Sequence, residues 1–193
     1  RYGYDAQRNR TSTTDPLRGT RQVSYTNYGQ PLTMIDESGR TTTYEYDEKG
    51  NVKAIRLADG SSVSYEYDIR GQVVRSLDQA GYATQFAYDS NGNIARITKP
   101  DGSVEHFQND RLGKVLVYTN ATGAEWHYTY NGDGKVVEVT DPKGKKSTYS
   151  YSNRKDLVAA TDRTGTAYHY FYDKRHLVQL SIAGATVANG FEY

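Results

Sequence analysis

Polar and hydrophobic residues alternate along most of this chain, and glycine interrupts the alternation at regular intervals. In residues 42–47, for example, the aromatic side chains Tyr44 and Tyr46 occupy alternate positions. Strict alternation is typical of half-buried β-strands, and no window of the chain has the apolar spacing of an amphipathic helix. The sequence therefore predicts an all-β protein built from short strands and turns.

The alternation repeats every 21 residues without an insertion. Most units carry an aromatic-x-Tyr pair, and we call its second residue the repeat tyrosine. This position is occupied by Tyr4, Tyr25, Tyr46, Tyr67, Tyr88, Asn109, Tyr130, Tyr151, Tyr172 and Tyr193. Asn109 is its one exception. A fixed period of this length indicates a repeat array, and we assign a structural role to Tyr25, Tyr46, Tyr67, Tyr88, Tyr130, Tyr151 and Tyr172.

Two glycines punctuate most repeats and predict two turns in each. One follows the repeat tyrosine by four residues and the other by fourteen. The first group, which we assign as turn glycines, comprises Gly29, Gly50, Gly71, Gly92, Gly113 and Gly134. Because each unit then consists of strand, turn, strand and turn, the predicted fold is a repetitive antiparallel β-hairpin ribbon with about two strands per repeat.

The first loop of each repeat is predicted to contain three residues. With residues 48–50 as the loop and its glycine in the left-handed region, Tyr46 lies opposite Val52 and Glu45 lies opposite Lys53. This register places hydrophobic residues on one face and charged residues on the other. A two-residue loop would mix the two faces.

One feature of the pattern does not fit a regular strand. Hydrophobic residues occur six and nine positions after the repeat tyrosine, as at Val52 and Ile55. An odd separation places two residues on opposite faces of a strand. Either a β-bulge or partial burial on both faces would account for the pair.

Composition removes several classes of function. The chain has 24 Lys and Arg against 23 Asp and Glu, so its net charge of +1 gives no electrostatic basis for binding nucleic acid or an anionic membrane. No apolar run is long enough for a transmembrane helix, and no signal peptide is visible. The absence of cysteine excludes disulfides and thiolate metal sites.

The ionisable residues recur at fixed positions in the repeat instead of forming one cluster. His106, His127 and His169 share one position, and we expect them on the face opposite the aromatic pairs, about 9.6 Å apart and too distant to share a zinc ion. His176 is expected in a turn. The aspartates beside the repeat tyrosines are expected to bind loop backbone. We therefore predict no catalytic residue, metal or cofactor.

Two segments carry a resemblance to a known family. Residues 41–61, TTTYEYDEKGNVKAIRLADGS, and residues 81–103, GYATQFAYDSNGNIARITKPDGS, resemble the YD repeat of the Rhs family, which is shared with the C component of Tc toxins and with teneurins. In that family a hairpin ribbon spirals into a hollow shell around a toxin domain. The resemblance implies that residues 1–193 form a single array of about nine repeats, curling as part of such a shell.

The resemblance also implies a function and partners. It points to a non-catalytic shell segment that encapsulates a toxin domain in a secreted bacterial toxin used in bacterial competition. Further YD repeats of the same or a paired chain and the enclosed toxin domain are the expected partners, and exposed edge strands would permit self-association. Nine repeats would give a ribbon only about 86 Å long, so we expect part of a larger secreted or cell-surface protein.

Two other functions remain open at this stage. The first is a cell-surface adhesion or carbohydrate-binding module, in which regularly spaced tyrosine rings stack against sugars. The second is an autoproteolytic or hydrolytic enzyme. The exposure of the repeat tyrosine rings distinguishes the carbohydrate-binding module from a purely structural array.

Overall fold

A computed structural model describes residues 1–17, 19–173 and 176–182 of the chain. All the regular secondary structure in these residues is β-strand, which confirms the all-β prediction. The described residues contain no helix that is long and apolar enough to cross a membrane. The repeat position Tyr193 lies outside the described residues. The strands are β1 (Tyr2–Tyr4), β2 (Arg10–Asp15), β3 (Gly19–Tyr25), β4 (Pro31–Ile35), β5 (Thr41–Tyr46), β6 (Val52–Arg56), β7 (Ser62–Tyr67), β8 (Val73–Leu77), β9 (Ala83–Tyr88), β10 (Ile94–Thr98), β11 (Val104–Asn109), β12 (Val115–Thr119), β13 (Glu125–Tyr130), β14 (Val136–Thr140), β15 (Lys146–Tyr151), β16 (Leu157–Thr161), β17 (Ala167–Asp173) and β18 (His176–Ile182).

The strands group into two compact units, and the division between the units falls within β9 and β10. In the first unit, β1 to β9 form an antiparallel meander in which each strand pairs with the next one along the chain. In the second unit, β11 to β18 do the same. The described contacts within each unit join consecutive strands only, so each unit is a single layer of sheet.

A single layer leaves both faces of the sheet partly open to solvent. Among the described residues, Ala54 is the only buried hydrophobic side chain. Stability therefore depends on ladder hydrogen bonds and cross-strand side-chain pairs, because no closed core is present in either layer.

Both loops of a repeat share one backbone geometry. In the first loop, the Asp47 N–H donates to the Asn51 carbonyl at 2.9 Å and the Gly50 N–H donates to the Asp47 carbonyl at 3.0 Å. The second loop, residues 57–61, repeats both bonds at 2.8 and 3.0 Å. This pattern is a type I turn followed by one left-handed residue, the common geometry of a three-residue hairpin loop.

The three-residue loop predicted from the sequence is confirmed. Gly50, Gly71 and Gly92 have φ angles of 85°, 81° and 89°, and Tyr46 lies opposite Val52 as the predicted register requires. A left-handed backbone costs glycine little because glycine has no Cβ. The remaining assigned turn glycines also have positive φ, with 78° at Gly29, 81° at Gly113 and 78° at Gly134.

The predicted register is wrong beyond the first pair of each hairpin. Glu45 lies opposite Ala54 and not opposite Lys53. Tyr46 and Glu45 are adjacent, yet their partners are two residues apart, so β6 contains one extra residue. This arrangement is a β-bulge. The same shift in register recurs beside the repeat position in hairpins of both units.

The bulge accounts for the two hydrophobic positions that did not fit a regular strand. Tyr46 pairs with Val52 and Tyr44 pairs with Ile55. Because Tyr44 and Tyr46 are alternate residues of one strand, they share a face, and so do their partners. We call this the aromatic face. The opposite face, which carries Glu45, is the charged face.

The bulge also keeps successive repeats in the same orientation. Ile55 pairs with Val63 in the next strand, and Val63 shares a face with Tyr67 because the two are an even number of residues apart. Without the extra residue, the odd period of 21 would place Tyr67 on the face opposite Tyr46. One bulge per repeat therefore places the described repeat tyrosines of a unit on one face.

The last described hairpin departs from the predicted loop. His176 was expected in a turn, but it begins β18 and lies opposite Asp173, and Tyr172 pairs with Leu177. The three-residue loop needs a left-handed third residue, which histidine adopts less readily than glycine. The strands pair closer to the connection instead.

In the described part of the chain, two loops hold a residue other than glycine in the left-handed region, Arg8 with φ 67° and Lys155 with φ 69°. Relief of this strain should make Lys155→Gly more stable by about 0.5–1 kcal/mol, after allowance for the greater unfolded-state entropy of glycine. Urea denaturation measures the change. Lys155→Ala is the matched control, since it keeps the strain and loses only the exposed ion pair between Nζ and Asp133 Oδ1 at 2.9 Å. A less stable glycine variant would contradict this account.

Candidate functional site

The repeat tyrosines connect each repeat to the one before it. The Tyr67 hydroxyl in β7 donates to the Val52 carbonyl in β6 at 2.7 Å. The backbone pairing of β6 with β7 ends at Ala54 and Ser64, so the Val52 carbonyl lies beyond the end of that ladder. The tyrosine hydroxyl thus supplies the donor where the neighbouring backbone no longer does.

The same bond, made to the carbonyl 15 residues earlier, recurs in both units with donor–acceptor distances of 2.7–3.0 Å. The described pairs are Tyr25 with Arg10, Tyr46 with Pro31, Tyr67 with Val52, Tyr130 with Val115 and Tyr151 with Val136. Each accepting residue is itself the cross-strand partner of the preceding repeat position. The bonds therefore link consecutive repeats.

Asn109, which interrupts the tyrosine pattern, makes the equivalent bond. Its Nδ2 donates to the Ile94 carbonyl at 2.8 Å, again 15 residues earlier. In the sequence pattern Asn109 is only an exception, and the pattern does not reveal this role. The available signal was the side-chain amide, because an amide N–H can replace a hydroxyl as donor.

Additional aromatic residues surround the position where asparagine replaces the tyrosine ring. Phe107, Tyr118 and Trp126 lie opposite one another across β11, β12 and β13. Their ring centroids are 5.3 and 5.5 Å apart. Tilted ring pairs at this separation contribute about 0.5–1.5 kcal/mol each. This row stabilises the strands around Asn109.

The described repeat tyrosines from Tyr25 to Tyr172 are half-buried, whereas Tyr4 is exposed. Burial raises the pKa of the Tyr46, Tyr67, Tyr130 and Tyr172 hydroxyls above the ordinary value, so these groups stay protonated at neutral pH. Tyr88, at the end of β9, is half-buried as well. The carbohydrate-binding alternative calls for rings open to solvent along a groove, which half-buried rings do not provide.

Polar side chains in the loops form a second link between repeats, which the sequence analysis also missed. Gln30 Nε2 donates to the Gly50 carbonyl of the next repeat at 2.7 Å. At the same position of a later repeat, Lys114 Nζ lies 5.5 Å from the centre of the Tyr130 ring. A cation over an aromatic ring is attracted by the ring quadrupole. These contacts bring consecutive loops together.

The aspartates beside the repeat tyrosines organise the loops, as predicted. Asp47 Oδ1 accepts from the backbone N–H of Lys49 at 2.9 Å and of Asn51 at 2.8 Å, and Oδ2 accepts from Asn51 Nδ2 at 2.9 Å. In other first loops, the backbone N–H groups two and four residues further on bind Asp68, Asp89 and Asp110 in the same way. In second loops, the equivalent N–H groups bind Asp36, Asp78, Asp141 and Asp162.

These hydrogen bonds favour the ionised carboxylates. The side-chain amide of Asn51, with the backbone N–H groups of the loop, holds the pKa of Asp47 below its ordinary value. The Thr164 hydroxyl and the loop backbone lower the pKa of Asp162 to about 2. Hydrogen bonds to a charged form lower the pKa of an acid. The lowered values thus have a structural cause and give no indication of catalysis.

The histidines lie on separate strands. His106, His127 and His169 are exposed on the charged face, in β11, β13 and β17. The ring of His127 approaches Glu125, with 3.7 Å between Nε2 and Oε2. Within the part of the chain that the structure describes, no three His, Cys, Asp or Glu side chains are grouped so that they could hold a metal ion.

The tyrosine-linked hairpins match the models of two known families. The teneurin YD-shell model matches residues 58–186, two thirds of the chain, and the RHS repeat model matches residues 25–62. The chain belongs to the teneurin YD-shell family. No curated protein sequence matches this YD-shell chain.

Solved structures of Tc toxins share the fold of the chain. They include TcdB2-TccC3 with a TM-score of 0.62, TcdB2-TccC3 without its hypervariable C-terminal region with 0.61, and the Photorhabdus luminescens Tc holotoxin pore with 0.62. Each is 15% identical over 94% of this chain, which spans only 12% of theirs. At this identity the likeness establishes a shell-type repeat fold and no more.

Removal of one tyrosine hydroxyl tests the link between repeats. Tyr67→Phe should lower the free energy of unfolding by about 1 kcal/mol because the Val52 carbonyl loses its donor. Tyr67→Ala should cost about 3 kcal/mol, since the ring packing is lost as well. Tyr28→Phe, at a loop residue that is 91% exposed, is the matched control and should have no effect. Tyr4→Ala, at a ring that is 60% exposed, should cost little. Equal losses at Tyr67 and Tyr4 in chemical denaturation would contradict the assignment.

Acidification tests the loop carboxylates. The pKa of Asp162 is lowered from its ordinary value of 3.8 to about 2 in the folded chain. The ionised carboxylate therefore stabilises the fold at pH values above 3.8, and this contribution is lost as the pH falls from 3.8 towards 2. We expect the urea midpoint to fall over this range. Asp162→Asn, which keeps an oxygen acceptor but cannot ionise, should reduce the pH dependence. A midpoint that is constant between these two pH values would refute the role of the carboxylates.

Proposed function

We propose that this YD-shell chain is a non-catalytic wall segment of an Rhs-type shell that encapsulates a toxin domain in a secreted bacterial toxin. One observation carries the proposal, namely the bond from five of the described repeat tyrosines, and from Asn109, to a carbonyl of the preceding repeat. Such a bond extends a sheet repeat by repeat. Residues whose side chains bond one repeat to the next are not available to form an active site.

The single-layer sheet supports a role as a wall. Within each unit the described strands contact only their neighbours, and no second layer covers either face. The two faces differ, because one carries the repeat tyrosines and the other carries ion pairs such as Arg56 with Glu45 at 2.8 Å and Arg75 with Glu66 at 2.7 Å. A sheet with two different faces and no core suits a boundary between a compartment and its surroundings.

The distribution of ionisable groups supports a non-catalytic role. An active site requires groups that converge on one point. Loop aspartates such as Asp47 and Asp110 are bound by loop backbone, and the three histidines in β11, β13 and β17 are on different strands. A cavity of ≈ 460 Å³ in the first unit is lined by Met34, Tyr44 and Arg40 among others, and Arg40 Nε there donates to Asp36 Oδ2 at 2.7 Å. Asp59, which also lines the cavity, accepts from the Ser61 backbone N–H at 2.9 Å, so both lining carboxylates are engaged within their own loops.

A wall segment of this kind would have a definite organisation, partners and location. We infer that residues 1–193 are one array of about nine repeats and part of a larger shell, secreted or displayed at the cell surface. The partners would be further YD repeats of the same or a paired chain and the enclosed toxin domain. Edge strands offer unpaired backbone groups, through which sheets are extended. Self-association through such edges would follow the same principle.

Protease protection tests the enclosure. The complete polypeptide that carries this segment is compared with a variant bearing Tyr46→Ala, Tyr67→Ala and Tyr151→Ala. We expect the toxin domain to resist a broad-specificity protease in the unaltered protein and to be cleaved in the variant, whose inter-repeat bonds are lost. Tyr28→Phe should leave the protection intact. A toxin domain digested equally in all three proteins would refute the proposed enclosure.

Activity and binding assays test the other functions. The chain should be inert towards peptide, ester and glycoside substrates. Turnover that a single carboxylate or histidine substitution abolishes would contradict the non-catalytic role. Saturable binding to a defined glycan would favour the adhesion or carbohydrate-binding alternative.

A further inference from the structure

One loop of the second unit departs from the repeat pattern at two consecutive positions. The residue after the repeat tyrosine is aspartate in most repeats, but it is Asn131 in this one. The next residue is glycine only here, at Gly132. The two departures together create an Asn-Gly pair. Glycine offers the least steric hindrance when a backbone nitrogen attacks the side-chain amide that precedes it.

The loop holds the Asn131 side chain in a reactive setting. Asn131 Oδ1 accepts from the backbone N–H of Asp133 at 3.1 Å and of Lys135 at 2.9 Å. Because Oδ1 binds the N–H two residues on, Asn131 Cγ and the Gly132 nitrogen belong to the same hydrogen-bonded ring. Two donors at a carbonyl oxygen also stabilise the negative charge that develops when a nucleophile adds to its carbon. The loop therefore resembles a small oxyanion hole around this amide.

The attacking nitrogen is accessible. Gly132 N–H donates no hydrogen bond among the described contacts of the loop. The residue is exposed, and a Cβ built on it would meet nothing within 4 Å. Solvent base can therefore reach the N–H, and the loop has room for a ring to form.

We propose that Asn131 is a self-modification site, at which the folded chain converts the amide to a carboxylate through Gly132. Hydroxide removes the proton from Gly132 N, which attacks Asn131 Cγ. The Cγ–Nδ2 bond breaks, and Nδ2 takes up a proton and leaves as ammonia. Water opens the resulting succinimide at Cγ to give aspartate, or at the main-chain carbonyl to give isoaspartate. The sequence of steps needs only water and base.

The aspartate product fits the loop without rearrangement. Asp47 and Asp110 already accept the same two backbone N–H bonds in their own loops. A carboxylate strengthens these bonds, because hydrogen bonds to an ionised acceptor are stronger than neutral ones. Opening of the succinimide at Cγ thus restores the usual residue of the repeat, and either product lowers the formal net charge from +1 by one unit.

Asn120 provides an internal control that has the donors but lacks the glycine. Asn120 Oδ1 accepts from the backbone N–H of Thr122 at 3.0 Å and of Ala124 at 2.9 Å. The residue that follows is Ala121, whose Cβ hinders attack by its nitrogen. We expect the Asn120 amide to persist.

Asn91 provides the opposite control, which has the glycine but lacks the donors. The Gly92 N–H is already committed to the Asp89 carbonyl at 3.1 Å. The structure describes no pair of backbone donors at Asn91 Oδ1. Among the residues that the structure describes, the two requirements for reaction are thus separated at Asn91 and Asn120, and the loop at Asn131 combines them.

Peptide mass mapping of the folded chain after incubation at mildly alkaline pH tests the proposal. We expect the mass increase of an amide-to-acid conversion at Asn131 at least roughly tenfold faster than at Asn91 or Asn120, because oxyanion donors have large effects on acyl chemistry. Aspartate and isoaspartate both count as product, since both arise from the succinimide. Comparable rates at Asn91 would overturn the proposal.

Two variants and one further condition complete the test. Gly132→Ala should suppress the reaction without unfolding the chain, because the site has room for a Cβ and an ordinary backbone. Asp110→Asn combined with Arg111→Gly recreates the pair in an equivalent loop, where the reaction should appear. Conversion of Asn131 in urea but not in the folded chain would show that the fold protects the amide, and the proposal would fail.

Discussion

One β-bulge per repeat is the constraint on which the rest of this structure depends. The sequence repeats with an odd period, and the side chains of a strand alternate with a period of two, so identical repeats would present opposite faces in turn. The extra residue at the Tyr46–Val52 pair removes this conflict. It brings Val52 and Ile55 to one side and leaves Glu45 on the other. The separation of an aromatic face from a charged face therefore originates in backbone geometry.

The bulge also explains why the repeat position is a tyrosine. Backbone pairing between β6 and β7 ends near the bulge, at Ala54 and Ser64, and a carbonyl left without a donor is costly. A tyrosine covers hydrophobic neighbours with its ring and reaches the carbonyl with its hydroxyl, which phenylalanine cannot do. Asn109 reaches the carbonyl with its amide but has no ring to cover hydrophobic neighbours. The packed aromatic rings of Phe107, Tyr118 and Trp126 lie nearby. Stability is then close to a sum over neighbouring repeats, as in other repeat arrays.

The sequence predicted those features that depend on local residue chemistry. The period, the glycine loops and the Tyr46–Val52 pair all follow from residues that accept only certain backbone angles or faces. The predicted partner of Glu45 was wrong because the bulge residue, Lys53, is an ordinary polar residue. Nothing in the sequence distinguishes it from the other polar residues of the strands. The tyrosine–carbonyl bond could not be predicted, since its acceptor is a backbone atom that every residue has. The odd separation of the hydrophobic residues Val52 and Ile55 was the one signal of the bulge in the sequence.

In a repeat array, a departure from the pattern is more informative than the pattern itself, because every other copy serves as its control. Asn109 keeps the interaction of its position with a different donor. Lys155 keeps the backbone angle of its position at the expense of strain. Asn131 keeps the hydrogen bonds of its position but exchanges an inert carboxylate for an amide, next to a glycine that no other repeat has there. Only this last departure changes the reactivity of the loop, and it does so without a change in the fold, because the backbone donors that shape the loop also activate the amide.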